Sequence, residues 1–265
     1  KTARIIAAII LFISKAFINL VIKVINISQK KLKINLVLLR LWAASIFMSS
    51  TVIIIPTRLQ AKRLPNKPLK LIKQKEMILH VYDLAVKSGV GEVLVATPDQ
   101  IISELITKNG GKSFISQEIH ENGSSRVFEA FKKFYSSKPE IIINLQSDMP
   151  TLDPKDIIKL KDYLKSKKCD VGTLASTLED QEEIDNKNVV KVITKKSIEN
   201  SDFCEAFDFK REAIDKDNKY VYHHIGIYGF TNEALVRYVN LKRSKLEIER
   251  NLEQMRALED KMKIH

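Results

Sequence analysis

A chain of 265 residues, 45% hydrophobic and 29% charged, is long enough to bury a substantial core and too apolar to be disordered. Its formal net charge of +12 does not mark a nucleic-acid binder: Lys1, Arg4, Lys15, Lys23, Lys30, Lys31, Lys33 and Arg40 put +8 into residues 1–47 and leave +4 for the rest. Two distant cysteines, Cys169 and Cys204, with no histidine at metal-ligand spacing, support neither a zinc site nor a disulfide framework, so a reducing, cytoplasmic setting is expected.

In chain order, residues 1–47 differ in kind from the other residues, being rich in Ile, Leu, Lys and Asn and without acids, glycine or proline. Their apolar runs are split by Lys15 and Arg40, and none reaches the roughly 20 residues of a clean spanning helix. Met48 looks like an ordinary start just before a first strand, so 1–47 is read as an appended leader outside the fold and 48–265 as the domain. The alternative is a membrane anchor, in which case membrane contact would come from this leader.

From Ser50 strands and helices alternate. "TVIIIP" is a continuous apolar run closed by Pro56, as expected of a strand buried on both faces. "EMILHVYDLAVKSG" has helical period, with Met77, Val81, Leu84 and Ala85 on one face and Gly89 as its stop. "EVLVAT", "KSFIS" and "EIIINL" read as strands, and "DQIISELITKNG" and "SSRVFEAFKKFY" as the helices between them, which predicts a doubly wound, mostly parallel α/β sheet. After the helix "DPKDIIKLKDYLKS" come four strands with no helix expected between them, "DVGTLASTL", "VVKVIT", "FCEAFDF" and "VYHHIGIYGF": a β-rich insert. "NEALVRYVN" and "KLEIERNLEQMRALEDK" close the chain as helices.

Ligands of open α/β sheets sit beyond the carboxyl ends of the strands, which is where "PTRLQAKRLPNKPL" falls. Arg58, Lys62, Arg63 and Lys67 on a backbone stiffened by Pro56, Pro65 and Pro68 suit a triphosphate gripped by side chains instead of by a glycine loop.

This stretch resembles P-A-R-x-x-S-x-R-L-P-x-K-P-L, the signature of the nucleotidyltransferases that make CMP-activated acid sugars. Five more stretches occur in family order: "HENGSSR", "NLQSDMP", "NKNVVKV", "HHIGIYGF" and "SKLEIERNLEQMRALE". The last two are particular to the 3-deoxy-manno-octulosonate (Kdo) cytidylyltransferase family and argue against the related CMP-acylneuraminate synthetases. The resemblance implies a fold of nucleotide-diphospho-sugar transferase type, working as a cytoplasmic homodimer in lipopolysaccharide synthesis in a Gram-negative bacterium. It implies transfer of CMP from CTP to Kdo with release of pyrophosphate. Arg58, Lys67 and Asp148 would be catalytic, and Arg58, Arg63, Lys67, Gln146 and Arg126 would hold the nucleotide. His224, Tyr228, Glu253 and Gln254 would hold the sugar, Asp148 would carry Mg2+, and His120 would lie near both substrates. Read without the family, His224 and Tyr228 are core residues with polar tips and Glu253 is a solvated helix residue.

Four positions differ from the family pattern: Ser147 for Gly, Met149 for Glu, Pro98 for Asp and Lys245 for Pro. The family continues past "KIH" through a strand into G-V-D-T-P-E/D-D/E-L, whose aspartate is a second metal ligand, whereas this sequence stops at His265. Impaired turnover is therefore expected, the alternative being an inactive truncated remnant that binds nucleotide or dimerises.

Overall fold

The computed structural model describes residues 51–60, 64–136, 138–166, 168–199, 203–212 and 220–265. The leader read at 1–47 and the loop cations Lys62 and Arg63 lie outside these.

Ten strands and eight α-helices are formed among the described residues. In chain order they are β1 (Thr51–Pro56), β2 (Leu71–Ile72), β3 (Lys75–Glu76), α1 (Met77–Ser88), β4 (Glu92–Thr97), α2 (Gln100–Lys108), β5 (Lys112–Ile115), α3 (Gly123–Phe134), β6 (Ile141–Asn144) and α4 (Pro154–Lys165). Then come β7 (Val171–Ser176), α5 (Gln181–Asp185), β8 (Lys191–Thr194), β9 (Ala206–Lys210), β10 (Val221–Thr231), α6 (Asn232–Asn240), α7 (Lys245–Arg250) and α8 (Met255–Glu259). The strands β5, β4, β1 and β6 run parallel in that spatial order, and β10 then pairs antiparallel with β6. β10 also pairs antiparallel with β7 and β8, and β9 pairs antiparallel with β8. The mixed, mostly parallel α/β sheet expected from the alternation is thus present. No helix among the described residues is long and apolar enough to cross a membrane.

The sheet is covered on both faces because residues 52–55 of β1 and 141–143 of β6 are apolar at every position. Val52 and Ile54 of β1 join Val127, Ala130 and Phe131 of α3 and Leu235 and Tyr238 of α6 on one face. Ile53 and Ile55 join Val81 and Leu84 of α1, Ile106 of α2 and Leu160 of α4 on the other. Ile53, Ile54 and Ile55 are fully buried, worth about 1.5–3 kcal/mol each relative to exposure. Gly89 ends α1 in the left-handed conformation at φ 62, as its sequence position foretold. α4 lies so close over β7 and β10 that a Cβ on Gly229 would fall 2.3 Å from Leu164 Cδ1, and one on Gly172 2.6 Å from Leu160 Cδ1. These two glycines are register partners, so the bare backbone they share is what admits the helix.

Two expectations change. The second half is not free of helix, since α5 lies between β7 and β8, capped by Asp180. The last predicted helix is broken: α7 ends at Asn251, left-handed at φ 51, and α8 begins afresh at Met255. The break lets the chain double back, so that Arg256, nine residues after Glu247, donates to it twice, at 2.8 and 2.5 Å, where an unbroken helix would hold them over two turns apart.

Candidate active site

The site is built at the carboxyl ends of β1, β4 and β6. Past Pro56 the Thr57 N–H donates to Ala96 O at 2.9 Å, after which the basic loop leaves the sheet. The Leu59 N–H donates to Asp99 Oδ2 at 2.8 Å, so the carboxylate that heads α2 anchors this loop and makes no cap bond to its own helix. Asn66, left-handed at φ 57, turns the chain into the single 3-10 turn Lys67–Leu69. That turn delivers Lys67 Nζ to 2.6 Å from Asp148 Oδ2, which projects from the loop after β6. Two residues 81 apart in sequence, both assigned to catalysis, are therefore in contact.

Arg126, in the first turn of α3, is buried, and its Nε has no hydrogen-bond partner. Burial pulls its pKa below the usual arginine range, and the positive charge of exposed Arg58 pulls the same way against Asp99 and Glu129. Two guanidiniums that repel each other, one with an orphaned N–H, create a demand for an anion at the mouth. The start of α3 is pressed against the strand ends: a Cβ on Gly123 would lie 3.3 Å from Pro56 Cγ and 3.4 Å from Gln146 Nε2. Gln146 donates to Asn144 Oδ1 at 2.9 Å, and buried Asn144 donates to Ser124 Oγ at 3.3 Å. Asn144 and Ser124, which no sequence argument singled out, link the end of β6 to the first turn of α3.

Across the sheet, His224 and Tyr228 share a face of β10 with ring centroids 5.6 Å apart. Burial raises the Tyr228 phenol well above its ordinary pKa, and the charge of Glu253 adds to this, so the phenol stays protonated. Glu253 lies between α7 and α8 with its Oε1 buried and unpartnered. Burial raises its pKa, opposed by the Ser124 hydroxyl, Arg256 and the Tyr238 phenol. Gln254 is buried at the head of α8, where its backbone carbonyl accepts from Ala257. Beside Glu253 a cleft of about 500 Å³ opens, lined also by Asn122, Arg243 and Leu252. Of the positions that depart from the family pattern, Met149 packs against the apolar core, with its Cε 3.5 Å from where a Cβ on Gly226 would stand.

His120, expected near the substrates, has its Nε2 2.7 Å from Glu129 Oε2. Buried Glu129 also accepts from Ser116 Oγ at 2.5 Å, the Gln117 N–H at 3.2 Å and Lys133 Nζ at 2.8 Å, which pins residues 116–120 along α3. Burial alone would raise the Glu129 pKa; the bonds from His120, Lys133, Ser116 and Gln117 override it and hold the carboxyl at about 2. A pKa depressed on folding stabilises the fold above the unfolded value near 4.3, and that stability is lost as pH falls toward the folded value. Glu129→Gln is therefore expected to abolish an acid-dependent loss of stability on the order of 2–3 kcal/mol between about pH 4.5 and 2. Urea unfolding midpoints across that range check it, and parallel pH profiles for the two proteins would contradict it.

Among the described residues, Glu118, His120 and Glu129 are the one group of three metal-ligating side chains gathered within 4.8 Å. The Lys133 ammonium already bridges its two carboxylates, lying 3.0 Å from Glu118 and 2.8 Å from Glu129. Asp148 is different in kind. Its side chain is 46% exposed at the mouth and takes up a cation, the Lys67 ammonium, as a hard oxygen donor would take up a divalent ion.

The chain is similar to known proteins. A family model described as cytidylyltransferase matches residues 52–264. The 3-deoxy-manno-octulosonate cytidylyltransferase of Methylorubrum populi is 38% identical over 218 residues, 82% of this chain and 87% of that protein. The protein of the same name from Brucella anthropi is 38% identical over 215 residues, 81% of this chain and 86% of its own length. A solved structure of CMP:2-keto-3-deoxy-manno-octonic acid synthetase complexed with CTP superposes with a TM-score of 0.72 at 33% identity, covering 81% of this chain and 88% of that one. A cytidylyltransferase from Leptospira borgpetersenii, 17% identical with a TM-score of 0.52 over 82% of this chain and 74% of that one, shares the fold.

Proposed function

The chain belongs to the cytidylyltransferase family, and on that premise we propose that it transfers CMP from CTP to Kdo, giving CMP-Kdo and pyrophosphate. The supporting observation is the contact of Lys67 with Asp148 beside the mutually repelling Arg58 and Arg126, at the mouth of the parallel strands. The reaction is attack of the anomeric hydroxyl on the α-phosphate of CTP, which needs charge neutralisation and alignment more than covalent help.

Arg58, Arg63 and Lys67 bind the phosphates, and the orphaned Arg126 Nε finds its acceptor on the nucleotide. Gln146, held by Asn144, orients the nucleotide from the end of β6. Asp148 holds Mg2+, which when bound neutralises and aligns the phosphate oxygens. On the acceptor side, the unpartnered Glu253 Oε1 and the protonated Tyr228 phenol bind sugar hydroxyls, with His224 and Gln254 completing that wall. The activity is assigned to residues 48–265, with 1–47 not needed for the fold, and to a cytoplasmic homodimer.

Calorimetric titration with CTP tests the nucleotide half: Arg58→Ala and Lys67→Ala are each expected to weaken binding by about 1.5–3 kcal/mol, the scale of a hydrogen bond to a charged group. Unchanged affinity in both would move the nucleotide elsewhere. Kdo is expected to support pyrophosphate release where acylneuraminate does not, and the reverse preference would refute the acceptor assignment.

A further inference from the structure

β10 is bulged inside the sheet. Ile225 lies opposite Leu174 of β7 and Tyr228 opposite Thr173, so Gly226 and Ile227 are two residues for which β7 has no counterpart. The Thr173 side chain sits in this bulge. Its Oγ1 is 2.7 Å from Ile227 O, 3.2 Å from Ile225 O and 2.9 Å from His224 Nε2.

A hydroxyl has one proton, and a carbonyl oxygen can only accept. The Thr173 proton therefore goes to Ile227 O, with Ile225 O as the weaker sharer, and the hydroxyl meets His224 as an acceptor. Nε2 of His224 must then carry hydrogen and donate to Thr173. The ring is buried, edge-on to Phe209 at a centroid distance of 5.0 Å and beside Tyr228. Burial, with a smaller contribution from the charge of His223, lowers its pKa to about 3, so at neutral pH it has a single N–H. With that hydrogen on Nε2, Nδ1 is a bare lone pair at the other edge of the ring.

We propose that Thr173 is a positioning residue that locks His224 in the Nε2–H tautomer, so that Nδ1 is presented to Kdo as an acceptor for one sugar hydroxyl. This rests on the reading of His224 as a sugar contact. The selectivity comes from the chemistry: a site that offers only an acceptor favours a hydroxyl and disfavours an analogue lacking it, because the nitrogen lone pair is then left without a donor.

The test uses the full chain with CTP, Mg2+ and Kdo, together with 15N-labelled histidine. The chain has five histidines, and His224→Gln assigns the signal that disappears. In the wild type that signal is expected to be a neutral imidazole protonated at Nε2. Thr173→Val is expected to shift it toward the Nδ1–H form and to raise KM for Kdo about tenfold or more, with KM for CTP changed less than twofold. Thr173→Ser is expected to keep wild-type behaviour. A wild-type signal protonated at Nδ1 would overturn the tautomer assignment, and it can be read even if the valine variant does not fold. Equal rises in both KM values, or a serine variant as impaired as the valine, would reduce Thr173 to a fold-stabilising residue. An Nε2–H signal together with unchanged KM for Kdo in His224→Gln would instead overturn the sugar-site reading on which the role depends.

Discussion

Asp148→Ala is expected to lower CMP transfer by about 10²–10³-fold in kcat while leaving the fold intact. Lewis-acid neutralisation at a phosphoryl centre is worth several kcal/mol, and each 1.36 kcal/mol is a factor of ten in rate. Asp148 is the carboxylate through which the proposed Mg2+ would be held, so its removal takes away that contribution and leaves Lys67 unpaired against the phosphates. Stability should hardly respond. The Lys67–Asp148 pair has side chains 36% and 46% exposed, and pairs of that kind contribute about 0–1 kcal/mol. Pyrophosphate release at saturating CTP, Kdo and Mg2+, beside a thermal melt, measures both. A loss under tenfold, or a melt lowered as much as the activity, would show that Asp148 is a structural residue and would place the metal elsewhere.

Glu247→Ala is expected to have the opposite profile, a large loss of stability. Glu247 is buried and receives Arg256 through two bonds, with Arg243 as a third donor at 3.3 Å. It also completes a capping box with Ser244 at the start of α7. Removing it leaves the buried Arg256 guanidinium without its counter-ion, a change that typically costs about 3–5 kcal/mol, and loses the cap besides. Since the pair holds α7 against α8, and Glu253 lies between them, a folded Glu247→Ala protein should also bind Kdo more weakly. Replacing both members together by Leu and Met should recover most of the stability, because the penalty arises from the abandoned charge. A denaturant midpoint unchanged in the single variant would mean that the break at Asn251 is held by packing alone.

Much of this protein is legible in one dimension. Val52 to Ile55 have no polar position on which a sheet could expose a face, so β1 had to lie between two helix layers. Gly89 stands where a helix needs a left-handed stop, and Arg58, Lys67 and Asp148 come after strands at the end where such sheets bind ligands. These are local rules of period and punctuation, read within a dozen residues. What they omit depends on register between segments distant in the chain. His224 and Tyr228 belong on one face by parity, but four residues of plain strand would separate them by about 13 Å. Only the two-residue bulge against β7 draws their rings to 5.6 Å, and Thr173, fifty residues away, holds it. Glu129 has Lys133 one turn on, but its burial comes from His120 and Ser116, which close over it. The run from Lys245 to Lys261 has helical period throughout, yet Arg256 turns back to Glu247 because a buried bidentate pair outweighs a few hydrogen bonds of helix continued through Asn251. Sequence period thus determined the layers and the placement of the basic loop after β1. The wall formed by His224 and Tyr228 was decided by tertiary contacts, since a buried polar group finds its partner wherever the fold brings one within 3 Å.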